Sequence, residues 1–368
     1  MPPPSSAPVD LRSDTFTTPD AAMRRVMADA EVGDDVWGED PTVRRLEEEM
    51  AGRLGKEAAV FVPSGTMGNL ASLTAQTNPG DEVIIDSESH VVANEAGGAG
   101  AVAGVILHAV DAVAGAPTAA QVAAALRVPD IHHPVSRLLW LENTHGGRAG
   151  LAVPAQLIDA AAAVAHHAGL RVHCDGARLF NAAVALRVDA SRLAAGCDTV
   201  SVCLSKGLGA PVGSVVSGDA PCITTVRLWR KRLGGGMRQA GILAAAGLYA
   251  LEHNVERLAD DHANALVLAA ELRGTPGVSV VEVALPTNMV MFDTPMPADE
   301  VTRLAAAAGV LLAPVGSRRL RCVTHKDVDA ADVRRAATAL SSMLERVLAA
   351  DGIREQQPAQ PGGAIPSR

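Results

Sequence analysis

The chain has 368 residues, of which 48% are hydrophobic and 20% are charged, and its formal net charge is −9. A chain of this length and composition can bury the cores of one large and one smaller domain, which excludes global disorder. Only 2% of the residues are aromatic and the charge balance is acidic. The composition therefore does not indicate a nucleic-acid partner.

The cysteines and the N-terminal segment indicate a cellular compartment. None of the five cysteines forms a C-x-x-C pair, which disfavours a disulfide framework and a zinc knuckle. They are Cys174, Cys197, Cys203, Cys222 and Cys322. The segment MPPPSSAPVD lacks the regions of a signal peptide, and no uninterrupted apolar run reaches about 18 residues. We therefore expect a soluble cytoplasmic protein that does not enter a membrane.

Short runs of β-forming residues alternate with alanine-rich helical patterns. The predicted strands are 58–62, 82–86, 104–110, 137–142, 171–175, 199–204 and 213–217. The predicted helices between them are 65–76, 118–126, 154–167 and 220–233. Several of the strands are almost continuously apolar, as strands buried on both faces are. This alternation predicts an α/β fold whose large domain contains a mostly parallel seven-stranded sheet.

The pattern changes after a long helical stretch at 238–273. Predicted strands then occur at 278–283, 289–292 and 319–323, and predicted helices at 298–308 and 330–348. These elements indicate a smaller C-terminal α+β domain, so we place the large domain at 9–255 and the small one at 256–350. The flanking segments 1–8 and 351–368 are rich in proline, glycine and polar residues and are predicted to be disordered tails.

Polar residues follow five of the predicted strands. They are Ser64-Gly65-Thr66, Ser89-His90, Glu142-Asn143-Thr144-His145, Asp175-Gly176-Ala177-Arg178 and Ser205-Lys206-Gly207. In open α/β sheets, ligands bind beyond the carboxyl ends of the strands. These residues are therefore the first candidates for a binding site.

An aspartate and a lysine at two of these strand ends suggest a cofactor. Asp175 ends one apolar strand, and Lys206 is the single charged residue of the segment 201–216. A lysine can hold pyridoxal phosphate as a Schiff base, and an aspartate can keep the pyridine nitrogen of that cofactor protonated. Taken alone, Asp175 also fits a helix N-cap, and Lys206 also fits a loop side chain that reaches water.

Two segments have residue types that bind anions. In VPSGTMGN, Ser64-Gly65-Thr66 lead from a strand into a helix, where small residues let backbone amides approach a phosphate. An ordinary strand-to-helix turn has the same pattern, and the G-K-[ST] ending of a Walker loop is missing. In LGGGMRQ, three glycines precede Arg238, which can bind a phosphate or carboxylate bidentately.

Three other side chains have two interpretations each. Arg321 in the small domain fits either an edge strand facing water or a cleft in which it binds a substrate carboxylate. His90 fits either a loop residue or a ring that stacks on a cofactor, and His145 can reach a reacting substrate because imidazole titrates near neutral pH. The adjacent pairs His132-His133 and His166-His167 face different ways, so we predict no metal site.

Taken together, the motifs resemble a known family. The matching segments, in chain order, are DLRSDT (10–15), EVGDDVWGEDPTV (31–43), GKEAAVFVPSGTMGN (55–69), GDEVI (80–84), EAGG (95–98), ENTH (142–145), VHCDGARLFNA (172–182), CLSKGLGAPVGS (203–214), GGGMRQAGILAAAG (234–247) and VTHKDV (323–328). They cover roughly residues 9–330. The ordered set is similar to the low-specificity L-threonine aldolases, which are fold type I pyridoxal phosphate enzymes of the aspartate aminotransferase superfamily.

The resemblance implies how the cofactor is bound. Lys206 would hold pyridoxal phosphate as a Schiff base, Asp175 would pair with the pyridine nitrogen, and His90 would stack on the ring. The residues implied to complete the cofactor site are Ser64, Gly65, Thr66 and Arg178, with Lys231 and Arg238 reaching the phosphate from a neighbouring subunit.

The resemblance also implies the substrate and the assembly. Ser13, Arg178 and Arg321 would bind the carboxylate of an amino acid, and His145 would lie near its β-hydroxyl, while the group that takes the hydroxyl proton stays open. The implied reaction is the reversible cleavage of threonine or allo-threonine to glycine and acetaldehyde. The implied assembly is a homotetramer with sites at dimer interfaces. Trp37 stands where the family often has tyrosine, which affects the expected substrate preference and not the cofactor.

Two other functions are consistent with parts of the sequence. Another pyridoxal phosphate reaction, such as β-elimination, racemisation or transamination, would use the same lysine and aspartate. A catalytically silent scaffold would keep the fold, but the chain retains every charged candidate residue. The segments GGGMRQ, ENTH and VTHKDV favour aldol cleavage.

Overall fold

A computed structural model describes residues 7–128 and 130–350. Its strands, in chain order, are β1 (Val9–Asp10), β2 (Ala58–Val62), β3 (Glu82–Asp86), β4 (Ile106–Val110), β5 (Ser136–Glu142), β6 (Arg171–Asp175), β7 (Thr199–Cys203), β8 (Ser214–Gly218), β9 (Ser279–Val280), β10 (Met289–Asp293), β11 (Val310–Leu311), β12 (Ala313–Pro314) and β13 (Arg319–Val323).

The helices surround and connect these strands. They are α1 (Ala21–Ala28), α2 (Pro41–Leu54), α3 (Gly65–Gln76), α4 (His90–Ala93), α5 (Ala119–Ala125), α6 (Ala155–His167), α7 (Leu179–Leu186), α8 (Ala190–Ala194), α9 (Ala220–Arg232), α10 (Gly241–His253), α11 (Leu258–Arg273), α12 (Ala298–Ala307) and α13 (Ala330–Ala350). None of the helices in the described ranges is both long and apolar enough to span a membrane.

The larger sheet has seven strands in the order β2-β8-β7-β6-β5-β3-β4. Strand β8 is antiparallel to both of its neighbours, and the other pairs of the sheet are parallel. The central strands are buried along almost their whole length, because helices cover both faces of the sheet. The prediction of an α/β fold with a mostly parallel seven-stranded sheet is confirmed.

Local sequence signals explain where several helices begin and end. The Asp40 side chain accepts hydrogen bonds from the first turn of α2, Pro41 is its first residue, and Gly55 ends it at φ +63°. Asp219 caps α9 in the same way, accepting a bond from Cys222 N at 2.7 Å. Carboxylate caps, a proline in the first turn and a left-handed glycine after the last turn are the expected helix boundaries.

The C-terminal unit contains a four-stranded sheet in the order β12-β13-β10-β9, with α11, α12 and α13 packed on it. Its core includes buried residues of these helices and also Val9 and Leu11 from the N-terminal segment. Strand β1 pairs in parallel with β11, and Val323 N donates to Leu11 O at 2.8 Å. The segment 9–11 therefore packs with the C-terminal unit and not with the large sheet, which corrects its predicted assignment to the large domain.

Most predicted elements occur within one or two residues of their predicted bounds. One prediction is wrong: the helical stretch 238–273 is interrupted, and α10 and α11 are separate helices. The predicted strand 278–283 is shorter and consists of Ser279–Val280. The domain boundary at 255/256 falls in the break between α10 and α11 and stays a prediction. Of the predicted tails, 1–6 and 351–368 lie outside the described residues, and Ala7 and Pro8 are exposed and irregular.

A buried histidine lies in the middle of the large sheet. His173 of β6 is completely buried, its ring packs against Trp140 with the ring centroids 4.2 Å apart, and its Nδ1 lies 2.8 Å from Thr199 Oγ1. Burial lowers the pKa of His173 to about 4, because the charged form loses its hydration. His173 is therefore neutral in the folded protein at neutral pH.

We expect this histidine to make folding stability depend on pH. The unfolded chain binds a proton at His173 below pH 6.5 and the folded chain only near pH 4, so stability is complete above pH 6.5 and falls as the pH decreases toward 4. Between pH 7 and pH 5, His173 should lower the free energy of unfolding by about 2 kcal/mol. Urea unfolding of His173→Gln should show a smaller loss over this interval than the wild type. His132 is exposed, so His132→Gln should show the same pH dependence of stability as the wild type. An unchanged pH dependence in His173→Gln would contradict the conclusion that His173 causes the loss.

Candidate active site

The carboxyl ends of the parallel strands lie at one edge of the large sheet. Strands β6 and β7 are neighbours, with Asp175 opposite Ser201, and Gly176 N donates to Ser201 O at 2.7 Å. Lys206 follows Ser201 by five residues. The fold thus brings the ends of β6 and β7, and with them Asp175 and the Lys206 loop, to the same edge.

The Lys206 loop is held by its backbone, and its amine is free. Lys206 O accepts hydrogen bonds from Gly209 N at 2.8 Å and from Thr17 Oγ1 at 3.0 Å. Its Nζ makes no hydrogen bond or ion pair with the part of the chain that the structure describes, and the residue is half-buried. The charge of Lys206 helps to lower the pKa of Asp14 and partly opposes the rise in the pKa of His90. A half-buried amine near other charges and without a partner is available for a ligand.

Asp175 is buried, and both of its oxygens have hydrogen-bond donors. Asn69 Nδ2 donates to Oδ2 at 2.7 Å, and the backbone N of Ala177 donates to Oδ1 at 3.0 Å. Asn69 belongs to α3, which covers the face of the sheet on which Asp175 lies. The carboxylate is therefore fixed in orientation from two sides.

His90 begins the single turn α4 and has one nitrogen bound to a carboxylate. Its Nδ1 lies 2.8 Å from Glu95 Oε1, and its backbone N donates to Glu142 Oε2 at 2.7 Å. The hydrogen bond to Glu95 raises the pKa of His90, and Asp175 adds to that rise. Burial raises the pKa of Glu142. His90 Nε2 makes no hydrogen bond within residues 7–128 and 130–350.

His145 is more enclosed than His90. Its ring is completely buried, its Nε2 lies 2.8 Å from Asp86 Oδ2, and its Nδ1 accepts from Arg148 N at 3.3 Å. Burial lowers the pKa of His145, but Asp86 and Glu142 outweigh that effect, so the pKa is raised. Both ring nitrogens thus face protein groups.

The two predicted carboxylate-binding arginines have different surroundings. Arg178 forms a bidentate pair with Asp14, Nε to Oδ2 at 2.7 Å and Nη2 to Oδ1 at 2.6 Å. Burial raises the pKa of Asp14, but Arg178 and Lys206 outweigh it and hold that pKa at about 2. Arg321 Nη2 donates to Arg12 O at 3.3 Å, and its Nε is buried without a partner.

An unpaired buried guanidinium nitrogen costs free energy unless an anion completes it. Burial lowers the pKa of Arg321, and nearby Arg178 adds to that effect, so two cations approach the same region. Ser13 is buried beside them, with its Oγ accepting from Thr15 N at 3.3 Å and lying 3.4 Å from Asp14 Oδ1. Arg178, Arg321 and Asp14 together carry one net positive charge, which the carboxylate of a ligand can neutralise.

The segment Ser64-Gly65-Thr66 forms the N-terminus of α3. Ser64 caps the helix by accepting from Met67 N at 3.2 Å, and both Ser64 and Thr66 are exposed. A methyl group at Gly65 would lie 2.7 Å from Cys203 Sγ. Only glycine fits here without displacement of the thiol. The N-terminus of a helix is a place where backbone amides bind anions.

Lys231 and Arg238 lie at the surface of the protomer. Both are exposed, and Arg238 Nη1 donates to Asp34 Oδ2 at 2.9 Å. The same loop region presents Trp37, whose side chain is 77% exposed. These residues do not contact Lys206 or Asp175 within one protomer among the hydrogen bonds and ion pairs of the described ranges.

The sequence reasoning missed several residues that hold the predicted ones. They are Asp14, Asn69, Asp86 and Glu95. Glu142 was among the predicted strand-end residues, but its hydrogen bond to the backbone of His90 was not predicted. A signal existed for one of them, because Asn69 shares a helix face with Ser72 and Gln76 in an otherwise apolar, buried helix. Polar residues at this spacing on the sheet side of α3 indicate partners in the sheet.

The chain belongs to the β-eliminating lyase family, whose model matches residues 10–295. Within it, the chain is 46% identical over 333 residues to a probable low-specificity L-threonine aldolase of Arabidopsis thaliana, covering 88% of this chain and 94% of that one. It is also 41% identical over 340 residues to the low-specificity L-threonine aldolase of Escherichia coli K12, covering 92% of this chain and all of the relative. The predicted family resemblance is confirmed.

Solved structures share the fold at low sequence identity. A putative L-allo-threonine aldolase of Listeria monocytogenes superposes with a TM-score of 0.75 at 21% identity, covering 92% of this chain and 96% of that one. A threonine aldolase of Leishmania major superposes with a TM-score of 0.76 at 19% identity, with coverage of 92% and 100%.

The residues at the sheet edge fit pyridoxal phosphate. Lys206 offers an unpaired amine for the aldehyde, and Asp175 offers a fixed, buried carboxylate for the pyridine nitrogen. The α3 N-terminus offers backbone amides for the phosphate where Gly65 leaves them uncovered. The unpaired Arg321 Nε is a donor for the carboxylate of an amino acid.

We expect the contact between Gly65 and Cys203 to control phosphate binding. Gly65→Ala places a methyl group against the thiol and should reduce retention of pyridoxal phosphate by about tenfold or more, measured by absorbance after gel filtration. Adding Cys203→Ala removes the sulfur and should restore much of the retention. Gly52→Ala, where nothing lies within 4 Å of the added methyl, is the control. Equal retention in Gly65→Ala and the double variant would contradict the steric explanation.

Proposed function

We propose that this protein is a pyridoxal phosphate-dependent aldolase that cleaves L-threonine, L-allo-threonine and related β-hydroxy-α-amino acids reversibly to glycine and an aldehyde. The observation that carries the proposal is the pair Lys206 and Asp175 at the ends of neighbouring strands, one unpaired and the other fixed by two donors. The relatives named low-specificity L-threonine aldolase, at 41% and 46% identity over almost the whole chain, support the substrate class.

When bound, pyridoxal phosphate supplies an electron sink for the carbon from which a bond is broken. Lys206 holds the cofactor by its amine, which has no other partner to give up. Asp175 would pair with the pyridine nitrogen of the cofactor. Asn69 and the Ala177 amide hold that carboxylate in place.

Arginine binding of the substrate carboxylate orients the bond to be broken. Arg321 is the primary partner, because its Nε is unpaired. Arg178 is fixed by Asp14 through Nε and Nη2, which leaves Nη1 as its free donor. Ser13 adds a hydroxyl at the same place. A carboxylate held from several sides limits rotation of the substrate and keeps its Cα–Cβ bond in one direction.

The two histidines differ in their ability to move the hydroxyl proton. His145 has both nitrogens facing protein groups and is completely buried. His90 Nδ1 is bound to Glu95, whereas its Nε2 has no protein partner among the described residues. We assign proton transfer to His90 Nε2, which can exchange a proton with a bound molecule without first breaking a contact. His145, whose ring lies against Asp86, then forms part of the wall of the site and does not transfer the proton.

The assembly is proposed to be a homotetramer whose sites lie at dimer interfaces, and the location to be the cytoplasm. Lys231 and Arg238 support the first proposal, because both are exposed on the protomer. The guanidinium of Arg238 forms an ion pair with Asp34 at the surface. The five cysteines are all buried and unpaired in the described structure, which supports a reducing compartment.

A second candidate reaction is β-elimination, which the description of the matching family names. Threonine would then give a keto acid and ammonia, whereas aldol cleavage gives glycine and acetaldehyde. Assays of both product pairs on L-threonine and L-allo-threonine separate the two reactions.

We expect purified protein to bind pyridoxal phosphate and to release acetaldehyde from L-threonine. Lys206→Ala should lose the absorbance band of the attached cofactor and at least about 10³-fold of the activity, because no other amine can replace it. Release of keto acid instead of acetaldehyde would overturn the proposed reaction. Absence of cofactor uptake by the wild type would instead support a catalytically silent scaffold.

We expect inactive variants to complement each other if Arg238 acts across a subunit interface. Lys206→Ala and Arg238→Ala protomers, mixed by unfolding and refolding, would form hybrid dimers with one intact site and regain about a quarter of wild-type activity. A mixture of Lys206→Ala with Asp175→Ala is the control, since both residues belong to one protomer's site. Equal failure of both mixtures would show that Arg238 does not complete a neighbouring site.

A further inference from the structure

Four side chains form a continuous hydrogen-bonded chain beneath the site. His90 Nδ1 lies 2.8 Å from Glu95 Oε1, Asn69 Nδ2 donates to the same oxygen at 2.8 Å, and Asn69 Nδ2 also donates to Asp175 Oδ2 at 2.7 Å. The four residues come from α4, from the turn after α4, from α3 and from the end of β6. Asn69, Glu95 and Asp175 are buried.

Asn69 is the central member of this chain. An amide nitrogen has two hydrogens and no charge, and here each hydrogen has one carboxylate, Glu95 or Asp175, as its acceptor. Two carboxylates this close would repel each other and raise each other's pKa without a donor between them. The ligating atoms of His90, Glu95 and Asp175 lie within 4.8 Å of one another, but the amide hydrogens take the place that a cation would need.

Glu95 determines the state of the His90 ring. Its Oε1 accepts a hydrogen bond from Nδ1–H, so the hydrogen of a neutral ring stays on Nδ1 and Nε2 carries none. The side chain of Glu95 is 3% exposed and that of His90 is 42% exposed, so the carboxylate is fixed and the ring reaches the open side. The charged groups that act on the pKa of the His90 ring include Glu95, Asp175 and Lys206, and the carboxylate of Glu142 accepts a hydrogen bond from the backbone N of His90.

We infer that Asn69 and Glu95 are positioning residues that couple His90 to Asp175. The charge on the histidine, which would stack on the cofactor ring, then depends on the charge on the carboxylate, which would pair with the ring nitrogen. This inference rests on the proposed function. Glu95 and Asp175 carry two negative charges and a protonated His90 carries one positive charge. A protonated ring nitrogen opposite Asp175 makes the group neutral, whereas loss of either charge at one end changes the protonation free energy at the other.

The two positions need different substitutions. Glu95→Gln keeps the size and an acceptor oxygen but removes the charge. It should lower the pKa of His90 toward the ordinary value of 6.5, because a neutral acceptor stabilises the charged imidazole less than the carboxylate does and the charge of Glu95 is lost. Asn69→Leu keeps the approximate size but removes both donors. It should weaken pyridoxal phosphate binding by about tenfold or more, because a hydrogen bond to a charged group contributes about that factor.

The first measurement does not need the cofactor. Histidine-selective NMR of the purified protein as isolated, with His90→Gln to assign the signal, gives the pKa of His90 in the wild type, Glu95→Gln and Glu252→Gln. Glu252 is an exposed carboxylate outside this hydrogen-bonded chain, with 78% of its side chain accessible. The pKa of His90 in Glu252→Gln should equal that in the wild type. An unchanged His90 pKa in Glu95→Gln would overturn the inference, whatever the reaction proves to be.

The second measurement tests the coupling itself. The dissociation constant of pyridoxal phosphate and the pH dependence of its visible absorbance are measured for Glu95→Gln, Asn69→Leu and the double variant. If Glu95 and Asn69 act through the same hydrogen-bonded chain, the double variant should bind pyridoxal phosphate no more weakly than the weaker of the two single variants. Independent, additive losses, or an absorbance titration identical to that of the wild type in both single variants, would contradict the coupling.

Asn69→Ser provides a second test where the leucine variant does not fold, since serine is small and has one donor in place of two. Its cofactor affinity should lie between those of the wild type and a variant without donors. Failure of the proposed function is recognised separately, because the wild type itself would then show no cofactor band, while the His90 measurement would still be valid.

Discussion

The parallel pairing of β5, β6 and β7 is the constraint on which the site depends. It places Glu142, Asp175 and the Lys206 loop at one edge of the sheet, although helix α6 lies between β5 and β6 and helices α7 and α8 lie between β6 and β7. These strands are buried along almost their whole length. Their charged residues lie at or next to the strand termini, and the acidic ones, Glu142 and Asp175, lie at the carboxyl ends.

Collecting charges at a buried edge requires that each one has a partner. Asp14 is paired with Arg178, Asp86 with Arg148 and His145, and Glu95 with His90. Within residues 7–128 and 130–350, the amine of Lys206 and the Nε of Arg321 have no hydrogen-bond partner at this edge. In the proposed function these are the groups that bind an aldehyde and a carboxylate.

The sequence predicted the fold class and the main pair of the site because both depend on local patterns. Apolar strands followed by polar residues identify strand ends, and Asp175 and Lys206 are such residues. The partners were not predictable in the same way. Asp14 meets Arg178 across 164 residues of sequence, and Asn69 reaches Asp175 across 106, so neither contact leaves a spacing to recognise. The enclosure of His145 depends on Asp86 in another strand, and the sequence alone did not indicate it.

The N-terminal segment joins the two units of the protein as a strap. Residues 9–11 are held between β11 and β13 of the C-terminal unit, while Asp14 holds Arg178 and Thr17 holds the backbone of Lys206. Within the nine residues 9–17, this segment thus contacts the C-terminal unit, the guanidinium of Arg178 and the loop that carries Lys206, so the three parts of the protein have one common connection.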